Sequence, residues 1–283
     1  MTTTSATQSV SQPDTQSKAM ASMLTPFLLI TFGLTWGLGI TFLLFNDQLA
    51  ALFGEVSMSN PLFMLAVYSP GIAGVIVVWH RYGLSGLGNF FRRLTLWRIS
   101  PWWWLFLILG VPAFMVAGAA LNGTLGDPFP FSPWYQALPA LALALLLGPM
   151  EEFGWRGLAL PLLQRKFAPF WAGLILGVIW MIWHAPAFLI SGTPQSAWSF
   201  LPFFVGGVAI SVVFTALFND ARGSLLIAAL LHFQLNNPIW PDAQPWDNLL
   251  IAVIAVILVW LKRRTMFQQG AGVTDILMPG TPE

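Results

Sequence analysis

The sequence predicts an all-α, polytopic membrane protein of about eight transmembrane helices with both termini cytoplasmic. Three observations carry that expectation. Of 283 residues, 57% are hydrophobic and only 8% are charged, against roughly 25% charged in a soluble domain. The apolar residues gather into runs near the length of about 20 residues that a bilayer requires. The 12 Lys and Arg residues all fall on alternate connections, or near the interface on that side.

Taken in order, residues 1–22 are rich in Ser, Thr and Gln and predict a disordered tail. They lack the basic start of a signal peptide. A membrane-embedded domain follows over residues 23–264. Its spans are expected near Pro26–Phe45, Leu62–His80, Trp102–Ala120, Leu138–Leu160, Phe170–Ile190, Phe200–Phe218, Ser224–Asn236 and Asn248–Leu261. Residues 265–283 predict a flexible tail. Gly86–Ser100 mixes Arg92, Arg93 and Arg98 with Phe90, Phe91 and Trp97, and reads either as an amphipathic helix on the cytoplasmic surface or as a plain connection. Trp102, Trp103 and Trp104 fit an interfacial aromatic belt. The sequon Asn122-Gly-Thr124 reads as a chance match in an outer loop. No internal repeat of the kind that marks many transporters is visible.

Charge fixes the expected orientation. Lys18, Arg81, Arg92, Arg93, Arg98, Arg156, Arg165, Lys166, Arg222, Lys262, Arg263 and Arg264 lie on one side. The opposite connections hold Asp47, Glu55, Asp127, Asp242 and Asp247 and no basic residue. Seven spans would put Lys262, Arg263 and Arg264 outside, so eight is the better count. The expected location is therefore multi-pass, in the plasma membrane of a bacterium. Membrane lipids are expected neighbours. The net charge of +1 says nothing about nucleic acid and no basic tract suggests it, so no nucleic-acid partner is expected. Absence of cysteine excludes disulfides, thiolate metal sites, S-acylation and a cysteine nucleophile.

The chemistry is concentrated in three helices. Glu151 and Glu152 are adjacent, and Arg156 follows in the same apolar run. Each charge at a helix centre costs about 2.5–3.5 kcal/mol even on lenient scales. Glu152 and Arg156 are four apart and share a helical face, so they can pair. Glu151 points about 100° away and is left to meet a water. Pro149 removes a backbone hydrogen bond just before the pair, which predicts a kink there. His184 follows Trp180 by one turn, with Pro186 loosening the helix beyond it. His232 and Asn236 are likewise four apart on one face. Taken singly, Glu152–Arg156 could be an interfacial ion pair, and each histidine could be packing or polar glue. Together these groups match the needs of water activation.

Other hydrolytic chemistries fit poorly. Neither motif histidine begins a HExxH zinc site. Gly223-Ser224-Leu225 does not supply a Gly-x-Ser-Gly turn, and every Asp lies in a connection or tail. A zinc ion held by Glu151, His184 and His232 is chemically allowed as a His₂Glu set. The residues leave the cofactor open between none and a divalent metal such as zinc.

Glu151-Glu152-x-x-x-Arg156, Trp180-x-x-x-His184 and His232-x-x-x-Asn236, in this order, resemble the CAAX prenyl protease and bacteriocin-processing family, also called Abi. The resemblance covers about residues 138–236. It implies a multi-spanning helical intramembrane endopeptidase, with Glu151 and His184 activating water and His232 and Asn236 stabilising the oxyanion. Glu152, Arg156 and Trp180 support the site in that reading. Trp180 stands where the family motif commonly has Phe. The substrate would be a peptide or protein tail, with or without a lipid. Two other classes stay open on the residues: a proton-coupled transporter using the same groups as a relay, and a non-catalytic scaffold or immunity-type membrane protein.

Overall fold

The computed structural model describes residues 12–281, with side chains from Met20 onward. Among the described residues every regular element is helical. In order they are α1 Gln12–Phe53, α2 Pro61–Phe91, α3 Pro101–Leu105, α4 Val111–Asn122, α5 Ala137–Gly154, α6 Leu160–Gln164, α7 Pro169–Trp183, α8 Phe200–Asp220, α9 Leu225–Leu235, α10 Trp246–Leu261 and α11 Arg263–Met266. Two π turns, Phe106–Gly110 and Trp155–Ala159, splice α3 to α4 and α5 to α6. Eight apolar stretches thus stand where eight spans were expected. Five are long and apolar enough to cross a membrane, and α7, α9 and α10 are shorter apolar helices.

The local sequence explains the breaks. Each π turn lies just ahead of a proline, Pro112 or Pro161. A proline withholds the N–H that the preceding turn would use and crowds that turn, and a wider turn relieves both. α5 continues through Pro149 without a break in the helix, and the irregular turn comes at Trp155–Ala159. The fifth run stops early. α7 ends at Trp183 with His184 as its C-cap, because Pro186 cannot continue it, and a 3₁₀ turn follows over Ala185–Phe188.

Connections join into two ends. At one end Arg93 donates to the carbonyls of Gly223, Gly157 and Ile276, at 2.8, 2.9 and 2.7 Å. There too Trp103 Nε1 donates to Asp220 at 2.6 Å, and Asp220 pairs with Lys262. At the other end Thr124 and Asn122 donate to the Asp242 carbonyl, tying the sequon to the α9–α10 connection. The first end carries Arg92, Arg93, Arg98, Arg165, Lys166, Arg222, Lys262, Arg263 and Arg264; the second carries Glu55, Asp127, Asp242 and Asp247 and, among the described residues, no basic one. Cysteine labelling, clean in a chain without cysteine, is expected to place Arg264→Cys inside and Gln244→Cys outside. Labelling of Gln244→Cys only from the cytoplasm would overturn the eight-span orientation.

Several expectations are refined. The stretch at 86–100 continues the helix that resumes after the break at Gly83 and ends in a 3₁₀ turn; one face is exposed, with Arg92, Trp97 and Arg98, while Phe90 and Arg93 are fully buried. Three carbonyl acceptors and the rings of Phe90 and Phe218 satisfy the guanidinium there. Trp103 leaves the aromatic belt for the core, while Trp102 stays exposed. The tail expected over 1–22 is already helical from Gln12, and residues 1–11 lie outside the described residues. The tail expected over 265–283 docks instead of hanging free. Ile276 and Leu277 are buried, Val273 and Thr274 accept from Gln164 and Arg165, and residues 282–283 lie outside the described residues.

Close backbone approach sets the bundle around the site. Gly173 and Gly177, four apart on α7, face α8. A Cβ on Gly177 would lie 2.9 Å from Ser211 and 3.0 Å from Val208. Small residues at this spacing let apolar helices meet where no hydrophobic drive exists. That contact aligns the C-terminal half of α7, with Trp180 and His184, against α8.

Candidate active site

α5 supplies the carboxylates. Glu151 and Glu152 are buried, at 4% and 0% exposure, and Arg156 on the π turn is fully buried. The pairing expected from the sequence is present: Arg156 Nη1 donates to Glu152 Oε1 at 3.0 Å. Its guanidinium is also held between two rings, 4.3 Å from the Trp180 centroid and 4.0 Å from that of Phe214. Stacking of this kind is worth about 2 kcal/mol or more when desolvated.

Glu152 has a second partner that the sequence did not suggest. His232 Nδ1 lies 2.6 Å from the same Oε1. One oxygen therefore serves Arg156 and His232 together. Glu151 is oriented from a different helix, because Trp180 Nε1 donates to its Oε2 at 2.8 Å. Among the described residues that is the one hydrogen bond of the Glu151 side chain, and the residue lines a cavity of about 500 Å³. Trp180 also packs edge-on against both imidazoles, with centroids 5.6 Å from His184 and 5.7 Å from His232. It is the hub on which the site is assembled.

His184 stands at the end of α7, where its Nδ1 lies 2.9 Å from the Trp180 carbonyl. A carbonyl only accepts, so Nδ1 carries the hydrogen. In the neutral ring Nε2 is then the acceptor.

α9 supplies the remaining pair. Ser224 caps it, accepting from Ile227 N at 3.1 Å, and Asn236 closes its last turn. His232 and Asn236 converge on Gly148, one turn before Glu151 on α5. A Cβ there would stand 2.8 Å from His232 Nε2 and closer still to Asn236 Nδ2. Glycine at 148 is what leaves space between these nitrogens and the helix. The sequence reading missed Gly148, and only the chain Leu147-Gly148-Pro149 ahead of the glutamates hinted at it. Glu151, Trp180, His184, His232 and Asn236 all line the one cavity, whereas Glu152 and Arg156 stand behind it.

The donor set for a metal does not assemble. Among the described residues no three His, Asp or Glu side chains come together so as to hold an ion. Nδ1 of the two motif histidines is taken by Glu152 and by the Trp180 carbonyl, which leaves Nε2 of each as its remaining ring nitrogen. Glu151, His184 and His232 share a cavity without forming a coordination site.

Fold and site together define a class: a multi-pass integral membrane protein with a carboxylate–imidazole centre buried between its helices. Residues 133–238 match the family model described as type II CAAX prenyl endopeptidase Rce1-like. CAAX prenyl protease 2 of Methanococcus maripaludis is 26% identical over 176 residues, which are 58% of this chain and 63% of that protein. The chain thus spans less than two thirds of the curated relative it matches. The matched residues include all three motifs on which the resemblance to the CAAX prenyl protease and bacteriocin-processing family rests.

Proposed function

We propose that the protein is an intramembrane endopeptidase that hydrolyses a peptide bond with water activated by Glu151. The observation that supports this best is the grouping around Gly148. A carboxylate and two nitrogen-bearing side chains approach one cavity from two helices, within a turn of each other on α5. Glu151 takes a proton from water as the oxygen attacks the carbonyl carbon, and later returns it to the leaving amine. His184 Nε2 accepts a hydrogen bond from the same water and holds it in line. The carbonyl oxygen, gaining charge, meets His232 Nε2 and Asn236 Nδ2. For Nε2 to donate, His232 must carry both ring hydrogens, and the Glu152 carboxylate at Nδ1 supplies the balancing charge. Trp180 keeps Glu151 in place, and Arg156 pairs with Glu152.

The substrate in this reading is a peptide or protein tail at the membrane, with or without a lipid. The relative's printed name points to a prenylated tail. The test is incubation of purified wild type and Glu151→Ala with a peptide library, read by mass spectrometry. Products made by wild type and lost in Glu151→Ala support the reading; products made equally by both remove it.

Two further outcomes follow. Asn236→Ala and His232→Ala are expected to lower kcat by about 10²–10³ with modest change in KM, the usual cost of losing one oxyanion donor. Gly148→Ala should do the same while keeping α5 helical, because its methyl occupies the space between the two nitrogens and the helix. A normal kcat in Asn236→Ala would exclude the oxyanion role for that residue. Exhaustive chelation is expected to leave activity unchanged. About one zinc per active chain, lost in a His184→Ala, His232→Ala double variant, would establish a metalloprotease instead.

A further inference from the structure

The cavity reaches one end of the bundle only. The connection residues in its wall, among them Met58, Gln195, Trp198, Asp242 and Gln244, all belong to the end that carries no Lys or Arg. None comes from the connections at the basic end. Between Glu151 and the basic end lie Trp155, Arg156, Leu158, Phe218 and Leu225, each fully buried. At about 1.5 Å per residue, Glu151 lies roughly 21 Å along the helix from Ala137 at the acidic end. The site is the floor of a deep shaft, closed below by packed side chains.

The wall also has a sign. It contains Asp242 and Asp247 and no Lys or Arg. Asp247 accepts from Asn248 N, Asn248 Nδ2 and Gln244 Nε2, at 2.7, 3.0 and 3.1 Å. Asp242 accepts from Gln244 N at 3.1 Å. These partners are uncharged. A peptide ending in a free carboxylate would descend past two like charges with no Lys or Arg in the wall to receive it. Arg156 gives no help, being enclosed between Trp180 and Phe214 behind the wall.

We propose that the shaft takes its substrate from the membrane face opposite the basic residues, and that this substrate is a basic peptide segment cut at an internal bond. The segregation of Lys and Arg makes that face the outer one. A cytoplasmic tail with a terminal carboxylate is then the wrong substrate on two counts, side and charge. The proposal rests on the endopeptidase reading, and its test separates the two.

The first arm needs no activity. Gln195→Cys at the rim and Leu235→Cys in the wall are treated with a membrane-impermeant maleimide, on intact bacterial cells expressing the protein and on inverted vesicles. Both are expected to react on intact cells, as Asp127→Cys does, while Arg98→Cys reacts only in inverted vesicles. Reaction of the two cavity cysteines from the Arg98 side overturns the proposal and leaves the endopeptidase reading untouched. The second arm uses solubilised protein and two amidated fluorogenic decapeptides with a common apolar centre, one flanked by lysines and the other by aspartates. The lysine peptide is expected to have a kcat/KM higher on the order of tenfold, the lower range for electrostatic steering. An Asp242→Asn, Asp247→Asn double variant should bring the two together. Equal rates in wild type, or a preference kept in the double variant, overturns the charge assignment. Absence of any Glu151-dependent cleavage in detergent removes the endopeptidase reading instead.

Discussion

Glu151→Gln is expected to abolish peptide hydrolysis and to leave the melting temperature of the purified protein unchanged. The amide has the shape of the carboxylate, and its oxygen can still accept from Trp180 Nε1, as Glu151 Oε2 does at 2.8 Å. What it lacks is the ability to take a proton from water. General base catalysis contributes about 10²–10⁴ in rate, and loss of this order should appear in kcat. No buried cation depends on Glu151 for a direct contact, so the fold has no reason to weaken. Thermal unfolding in micelles and single-turnover kinetics on the same preparation check both halves. Activity within about tenfold of wild type would remove Glu151 as the base.

The adjacent residue is expected to behave in the opposite way. Glu152→Gln should lower stability sharply, because Arg156 and His232 both lean on Glu152 Oε1 inside the core. Removing one partner of a buried ion pair leaves an uncompensated charge and costs about 3–5 kcal/mol. Removing both charges costs less than removing one, so an Arg156→Met change should restore part of the stability lost in Glu152→Gln. Activity should fall along with stability, since His232 loses the group that fixes its ring. Strictly additive losses in the double variant, or equal melting losses for Glu151→Gln and Glu152→Gln, would sink the division of labour between the two carboxylates.

What could be read in the sequence was local. Glu152 with Arg156, and His232 with Asn236, are four apart, and helical geometry alone puts each pair on one face. Run lengths and basic residues located the eight apolar stretches for the same reason, since both are properties of a single segment. Contacts between helices were not available that way. Nothing in the spacing says that Trp180 reaches Glu151, or that His232 turns its Nδ1 to Glu152. Gly148 looked like any small residue in an apolar run, because its importance is the volume it does not fill. Arg93 misled for a related reason. An arginine among aromatic residues near a helix end normally marks an interface, and only tertiary structure supplies the three carbonyls that draw it inside. Ile276 and Leu277 stand in a short stretch without helical period, so their burial left no pattern to find.

The Arg93 cluster has a practical side for anyone handling this protein. Its guanidinium joins the carbonyl of Ile276 to that of Gly157, the residue directly after Arg156. The last stretch of chain is therefore bolted to the turn that carries the core ion pair. A purification tag or reporter fused close behind Leu277 would pull on that bolt, and trimming the chain ahead of Val273 would remove it. Enzyme assayed in either form would be measured with its central helix less firmly mounted, and a weak rate could be mistaken for a poor substrate.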